Sequence, residues 1–131
     1  MSLAIQLCGW LKAKSQFLGD LGFNLINMQD LTPKALEEYL ELNKPLLLDV
    51  REQWEWDKCH FDTARLLPMG QIMDNIDSLD KAAEIVIICH HGIRSMQVAR
   101  YFESIGFERI INLKGGIDAW AKTIDNSMTQ Y

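Results

Sequence analysis

The chain has 131 residues and a mass of 15.1 kDa, which at ~100–200 residues per domain leaves room for one domain and a short extension. With 48% hydrophobic and 24% charged residues it has the balance of an ordinary globular protein, and disordered, collagenous and low-complexity classes are excluded. Thirteen Lys and Arg against 18 Asp and Glu give a net charge of −5, which disfavours direct nucleic-acid partners and anionic membrane surfaces, because binding to them rests on cationic neutralisation.

Residues 1–23 read as an N-terminal extension, a short docked helix or a frayed tail, with Trp10, Lys12 and Lys14 among loosely spaced apolar residues. Its apolar stretch Leu3 to Leu11 is broken by Gln6 and Gly9 and has no positive charge ahead of it, so it reads as neither a signal peptide nor a membrane span. Cys8, Cys59 and Cys89 cannot all pair within the chain and are too few for a disulfide framework. A reducing compartment, the cytoplasm, is the expected location.

Residues 24–125 carry the signals of a domain, and residues 126–131 read as a C-terminal tail. Thr32 as N-cap, Pro33 at the first helical position and the stripe Leu36, Tyr39, Leu40 predict a helix to about Leu42. Leu46 to Val50 is then a continuous apolar run of the kind expected of a strand buried on both faces. Ile85 to Ile88 and Ile110 to Leu113 repeat it, and Arg65 to Pro68 is a weaker strand candidate. Between the runs lie helical stripes at Ile72, Met73, Ile76, Leu79, then Val98, Ala99, Phe102, Ile105, then Ile117, Trp120, Ala121, Ile124. Alternation of this kind favours right-handed crossovers and a parallel sheet covered on both faces, with chemistry at the carboxyl ends of the strands.

Asp49 and Arg51 follow the first run, Cys89 to Ser95 the second, and Gly115 and Gly116 the third. The segment Cys89-His90-His91-Gly92-Ile93-Arg94-Ser95 lies between a buried strand and a helix for which Ser95 is the expected N-cap. A thiol at the mouth of such a loop faces the positive end of a helix dipole and free backbone N–H groups, and Arg94 adds a cation. All three favour the thiolate, so Cys89 reads as a nucleophile, with the loop amides and Arg94 as a cradle for an anionic substrate.

Four segments in order resemble the rhodanese-like sulfurtransferases. Leu48-Asp49-Val50-Arg51-Glu52 looks like the family's first signature, and Cys59-His60-Phe61-Asp62-Thr63-Ala64 resembles a degraded form of its second, Gly-His-Ile-Pro-Gly-Ala. Cys89 to Ser95 matches the active loop, and Asn112 to Trp120 the closing motif. The resemblance spans about residues 26–122. It implies an α/β fold, a five-stranded parallel sheet flanked by helices on both faces, and a cysteine that carries sulfur as a persulfide. It further implies a small sulfur-containing anion such as thiosulfate as donor to Cys89, with the sulfur held by the amides of residues 90–94 and passed to a thiol, cyanide or protein acceptor. Cysteine-dependent phosphatases that resemble this fold place five residues between Cys and Arg, whereas four separate Cys89 from Arg94, and the shorter loop favours sulfur over phosphate. The rival from another class is a rhodanese-like binding or carrier module without turnover, which the presence of both Cys89 and Arg94 disfavours.

Other residues have plainer readings. Cysteines and histidines invite a zinc proposal, but there is no C-x-x-C pair, adjacent histidines tend to diverge, and a metal on Cys89 would occupy the nucleophile. Neither a metal nor a cofactor is expected. His90 and His91 read equally well as donors beside the sulfur or as exposed loop filler. Cys59, where the motif has glycine, is expected to be passive rather than a relay thiol, and Phe61 and Thr63 leave the local turn open. Asp49 and Arg51 are expected to brace the active loop as an ion pair. Of Trp54 and Trp56, on different faces of a short helix, one is expected in the core and the other as a lid or partner contact. Gly115 and Gly116 are expected to allow close backbone approach beside the site, and Trp120 to be core.

Overall fold

A computed structural model describes residues 28–131; the proposed N-terminal extension, with Cys8 and Trp10, lies outside them. The elements run β1 (Gln29–Leu31), α1 (Pro33–Leu42), β2 (Leu46–Asp49), α2 (Gln53–Lys58), β3 (Arg65–Leu66), α3 (Ile72–Asn75), β4 (Glu84–Ile88), α4 (Ile93–Ser104), β5 (Arg109–Leu113) and α5 (Gly116–Thr123). The strands form one sheet in the order β1-β5-β4-β2-β3, with every pairing parallel. No helix among these residues is long and apolar enough to cross a membrane.

The apolar runs become the central strands because both faces of the sheet are covered. In β4, Ile85 and Ile87 join a core with Leu48, Val98, Ala99, Phe102 and Phe107 on the α4 side. Val86 and Ile88 face the other way and pack with Leu36, Leu47, Ile117 and Trp120 of α1, β2 and α5. Such strands show no polar alternation because neither face meets water. Helix α1 begins as its sequence dictates, with the Ala35 N–H donating to Thr32 Oγ1 at 3.2 Å and Pro33 in the first turn.

Three local features depart from the sequence reading. The stripe from Ile72 to Leu79 is not one helix: a 3₁₀ turn (Met69–Gln71), the single turn of α3 and a second 3₁₀ turn (Ile76–Ser78) share it. Asn75 and Ser78 explain the break, since their side chains donate to the carbonyls of Gln71 and Asn75 at 2.8 and 2.7 Å and compete with a continued helical ladder. Strand β1 has only three residues, one of them apolar, and carries no pattern of its own; pairing with β5 makes it a strand. Neither tryptophan of α2 enters the core: Trp54 is 58% exposed and Trp56 is half-buried, because the face that α2 turns inward carries Glu55 instead.

Candidate active site

Strand β4 ends directly in Cys89, which is 1% exposed. Its Sγ accepts the Gly92 N–H at 3.0 Å and lies 3.2 Å from Ser95 Oγ. Helix α4 starts at Ile93, its N-cap being Gly92 in the left-handed region at φ +88°. Ser95 is therefore not the cap that the sequence suggested. It sits in the first turn, fully buried, and its hydroxyl turns inward to the sulfur because Gly92 alone makes the chain reversal into the helix. The loop thus offers Cys89 a backbone donor, a hydroxyl and the positive end of a twelve-residue helix, all of which stabilise negative charge on sulfur.

The closing motif holds this loop from the far side. At the start of α5 the N–H groups of Ile117 and Asp118 donate to the carbonyls of Cys89 and His90 at 2.9 and 3.0 Å. That approach requires a missing side chain: Gly116 has φ +65°, and a Cβ there would collide with the carbonyl oxygens of His90 and Cys89. Gly92 is similarly confined, since a Cβ on it would lie 2.9 Å from the Gly115 nitrogen.

A buried ionic network stands behind the loop. Asp49 and Arg51 form an ion pair at 2.7 Å with both side chains fully buried. Arg51 also donates to the carbonyls of Glu55 and Cys59 and to the Tyr131 hydroxyl. Burial opposes the Arg51 charge, but the hydrogen bonds and charge of Asp49 raise its pKa further above the ordinary value. Arg94 is not a free cation; its guanidinium is gripped by Glu55 in a two-pronged pair, each contact 2.7 Å. Burial would raise the Glu55 carboxyl, yet the hydrogen bond from Arg94, the Glu52 N–H, the Tyr131 hydroxyl and the Arg94 charge together hold it down at about 2. The same Glu55 pair raises Arg94. The Tyr131 hydroxyl links the two halves, accepting from Arg51 at 2.8 Å and donating to Glu55 at 3.1 Å. Burial, with Glu55 reinforcing it against Arg51, pushes the phenol up to about 12.

Around the loop mouth the His90 ring stacks on Tyr131 and meets His91 at a tilt of 37°, with centroids 3.9 Å apart in each pair. Burial and the neighbouring His91 lower the pKa of His90. Ile93 is 69% exposed beside them. Trp54 presents its edge to Tyr131 at 5.7 Å, and Trp56 stacks on His60 at 4.0 Å. Cys59 is free and half-buried at the end of α2. It packs against the core on the α1 and α5 side, whereas Cys89 belongs to the core on the α4 side. Phe61 is buried edge-on to Trp120 at 4.9 Å, which fixes the local turn, and the Ala64 N–H closes it on the Phe61 carbonyl.

Of the loop residues 90–95, Gly92 and Ser95 touch the Cys89 sulfur, Arg94 turns to Glu55, and Gly115 and Gly116 lie against the same loop. Glu55 and Tyr131 were missed. Glu55 has a local signal in the spacing Glu52-x-x-Glu55, which forms a capping box, but nothing in that spacing names Arg94 as its partner. Tyr131 lies 76 residues from Glu55 and has no local signal.

The family model described as Rhodanese-like domain matches residues 32–123. A probable adenylyltransferase/sulfurtransferase, MoeZ, from Mycobacterium tuberculosis is 35% identical over 104 residues, covering 77% of this chain but 26% of that protein. The chain therefore corresponds to about a quarter of that relative. A putative sulfurtransferase of Bacillus subtilis, YtwF, is 36% identical over 96 residues, covering 72% of this chain and 92% of that one. Among solved structures, a rhodanese-like domain protein from Staphylococcus aureus superposes with a TM-score of 0.65 at 35% identity, covering 71% of this chain and 91% of that chain.

Proposed function

The chain belongs to the rhodanese-like domain family, and from that premise we propose that it transfers sulfane sulfur through a persulfide on Cys89. The observation that carries this reading is the surroundings of the sulfur. Cys89 follows a buried strand with its Sγ 3.0 Å from the Gly92 N–H and 3.2 Å from Ser95 Oγ, groups that can both donate to an anionic sulfur. The sulfurtransferase names of its relatives support the reaction class.

The Cys89 thiolate attacks the outer sulfur of a donor such as thiosulfate. A bond forms between the two sulfurs, the sulfur–sulfur bond of thiosulfate breaks, and sulfite leaves with the electron pair. The loop amides and the dipole of α4 hold the resulting anionic outer sulfur. A thiolate, cyanide or protein acceptor then attacks that sulfur and the Cys89 thiolate departs, so the enzyme returns unchanged after two displacements. Arg94 contributes through position rather than as a bare charge, because Glu55 balances it; it fixes the first turn of α4, whose amides do the holding. The loop between Cys89 and Arg94 is four residues long, and a ring of this size suits one sulfur atom rather than a phosphoryl group with its oxygens.

Intact mass after incubation with thiosulfate tests the proposal. Wild type is expected to gain one sulfur atom that a reductant removes, Cys59→Ser to gain it equally, and Cys89→Ser to gain none. A gain on Cys89→Ser, or no gain on wild type with either thiosulfate or a protein persulfide donor, overturns it in favour of a binding module without turnover.

A further inference from the structure

We propose that His90, His91 and Asp118 form a binding site for a late first-row divalent cation such as Zn²⁺, beside the Cys89 loop but without its thiol. One donor atom of each residue lies within 4.8 Å of the other two, and among the described residues no other group of three such side chains gathers this closely. His91 Nδ1 is already 3.7 Å from Asp118 Oδ2. His90 Nε2 is buried and has no hydrogen-bond partner among the described residues, so one nitrogen of this imidazole is not already committed to another protein group.

Neighbouring histidines tend to diverge, but here the two imidazole centroids lie 3.9 Å apart, and the triad leaves out the Cys89 thiol. Two imidazoles and one carboxylate suit zinc and its neighbours, whereas calcium and magnesium demand oxygen ligands. Three protein ligands leave a fourth position for water. Bonds of about 2.0–2.1 Å place tetrahedral ligands roughly 3.3 Å apart, so the longest separation must close. The backbone is fixed, because the Asp118 N–H donates to the His90 carbonyl at 3.0 Å. The side chain of His91 is 58% exposed and free to turn toward Asp118 over the 3.7 Å between them. Lys122 Nζ sits 2.9 Å from Asp118 Oδ2, where the ion must replace it. An ion bound here ties the active loop to the start of α5.

Calorimetric titration of Zn²⁺ into the full chain carrying Cys8→Ser, Cys59→Ser and Cys89→Ser tests the site with every thiol removed. That chain cannot form a Cys89 persulfide, so the result stands apart from the sulfur-transfer reading. One ion per chain is expected, shifting the imidazole nitrogen resonances of His90 and His91 and leaving those of His60 unmoved. His91→Ala is expected to weaken binding by at least about tenfold, the minimum that loss of even an outer partner costs a metal site. Lys122→Ala, which removes only the competing cation from an exposed side chain, is expected to tighten it. Absence of saturable binding, binding unchanged by His91→Ala, or movement of the His60 signals instead would overturn the site.

Discussion

At the scale of single residues, the contact between Ser95 and Cys89 is the part of the proposed sulfur chemistry that one substitution can isolate. A hydroxyl 3.2 Å from Sγ donates best when the sulfur is anionic, and hydrogen bonds to charged groups contribute about 1.5–3 kcal/mol. Ser95→Ala is therefore expected to slow alkylation of Cys89 by iodoacetamide at neutral pH by about tenfold or more, followed by mass spectrometry with Cys59 as the internal reference. An unchanged rate would mean that the Ser95 hydroxyl has no part in the reactivity of Cys89. The serine was visible in the sequence, but with the wrong role. A serine three residues after a turn looks like a cap, and only the left-handed backbone of Gly92 moves the helix start far enough to turn Ser95 inward. Glu55 was invisible for a related reason. A glutamate between two tryptophans reads as the polar side of a helix, and its burial depends on Arg94, 39 residues away.

At the scale of elements, the site exists because the loop after β4 and the start of α5 are pressed together without an intervening side chain. Gly116→Ala brings a Cβ onto two carbonyl oxygens and puts alanine at φ +65°. Substitutions incompatible with a positive φ cost more than the ~0.4–1 kcal/mol that compatible ones gain, and the collision adds to that. Chemical denaturation is expected to give a lower midpoint for Gly116→Ala, and the persulfide yield of the folded fraction to fall as the loop is pushed outward. A fall in stability with full persulfide yield would show that α5 supports the fold and not the loop geometry. The glycine pair and the three long strands were legible because their patterns are local: an apolar run, then a polar break at a strand's carboxyl end. The segment from Ile72 to Leu79 was misread as one helix because its apolar spacing is helical while Asn75 and Ser78 divert the backbone. Strand β1 carried no pattern, and its partner in the sheet is 82 residues distant.

At the scale of the whole molecule, one buried network joins the end of β2, helix α2, the first turn of α4 and residue 131. Asp49 holds Arg51, Arg51 and Glu55 share the Tyr131 hydroxyl, and Glu55 holds Arg94. Two distant parts of the chain, Arg94 and Tyr131, therefore meet on a single carboxylate, and its titration makes that dependence measurable. Glu55 ionises at about 2 in the folded chain against an ordinary value of 4.5. A carboxyl whose pKa is lower in the folded state stabilises fully above its unfolded value, and that stabilisation is lost as pH falls through the folded one. Wild type is thus expected to be more stable than Glu55→Gln at neutral pH, with the difference in urea midpoint constant down to about pH 5 and shrinking between there and about pH 2. Other carboxylates titrate in the same range, so the difference between the two proteins, rather than either curve, isolates Glu55. Tyr131→Phe removes one of the hydrogen bonds that lower Glu55 but keeps the Arg94 pair, so it is expected to shrink the neutral-pH advantage and to narrow the window from its acid end, because the folded carboxyl is then lowered less. A gap between wild type and Glu55→Gln that does not change with pH would mean that Glu55 acts by filling space, and that the ion pair with Arg94 does not set the position of the active loop.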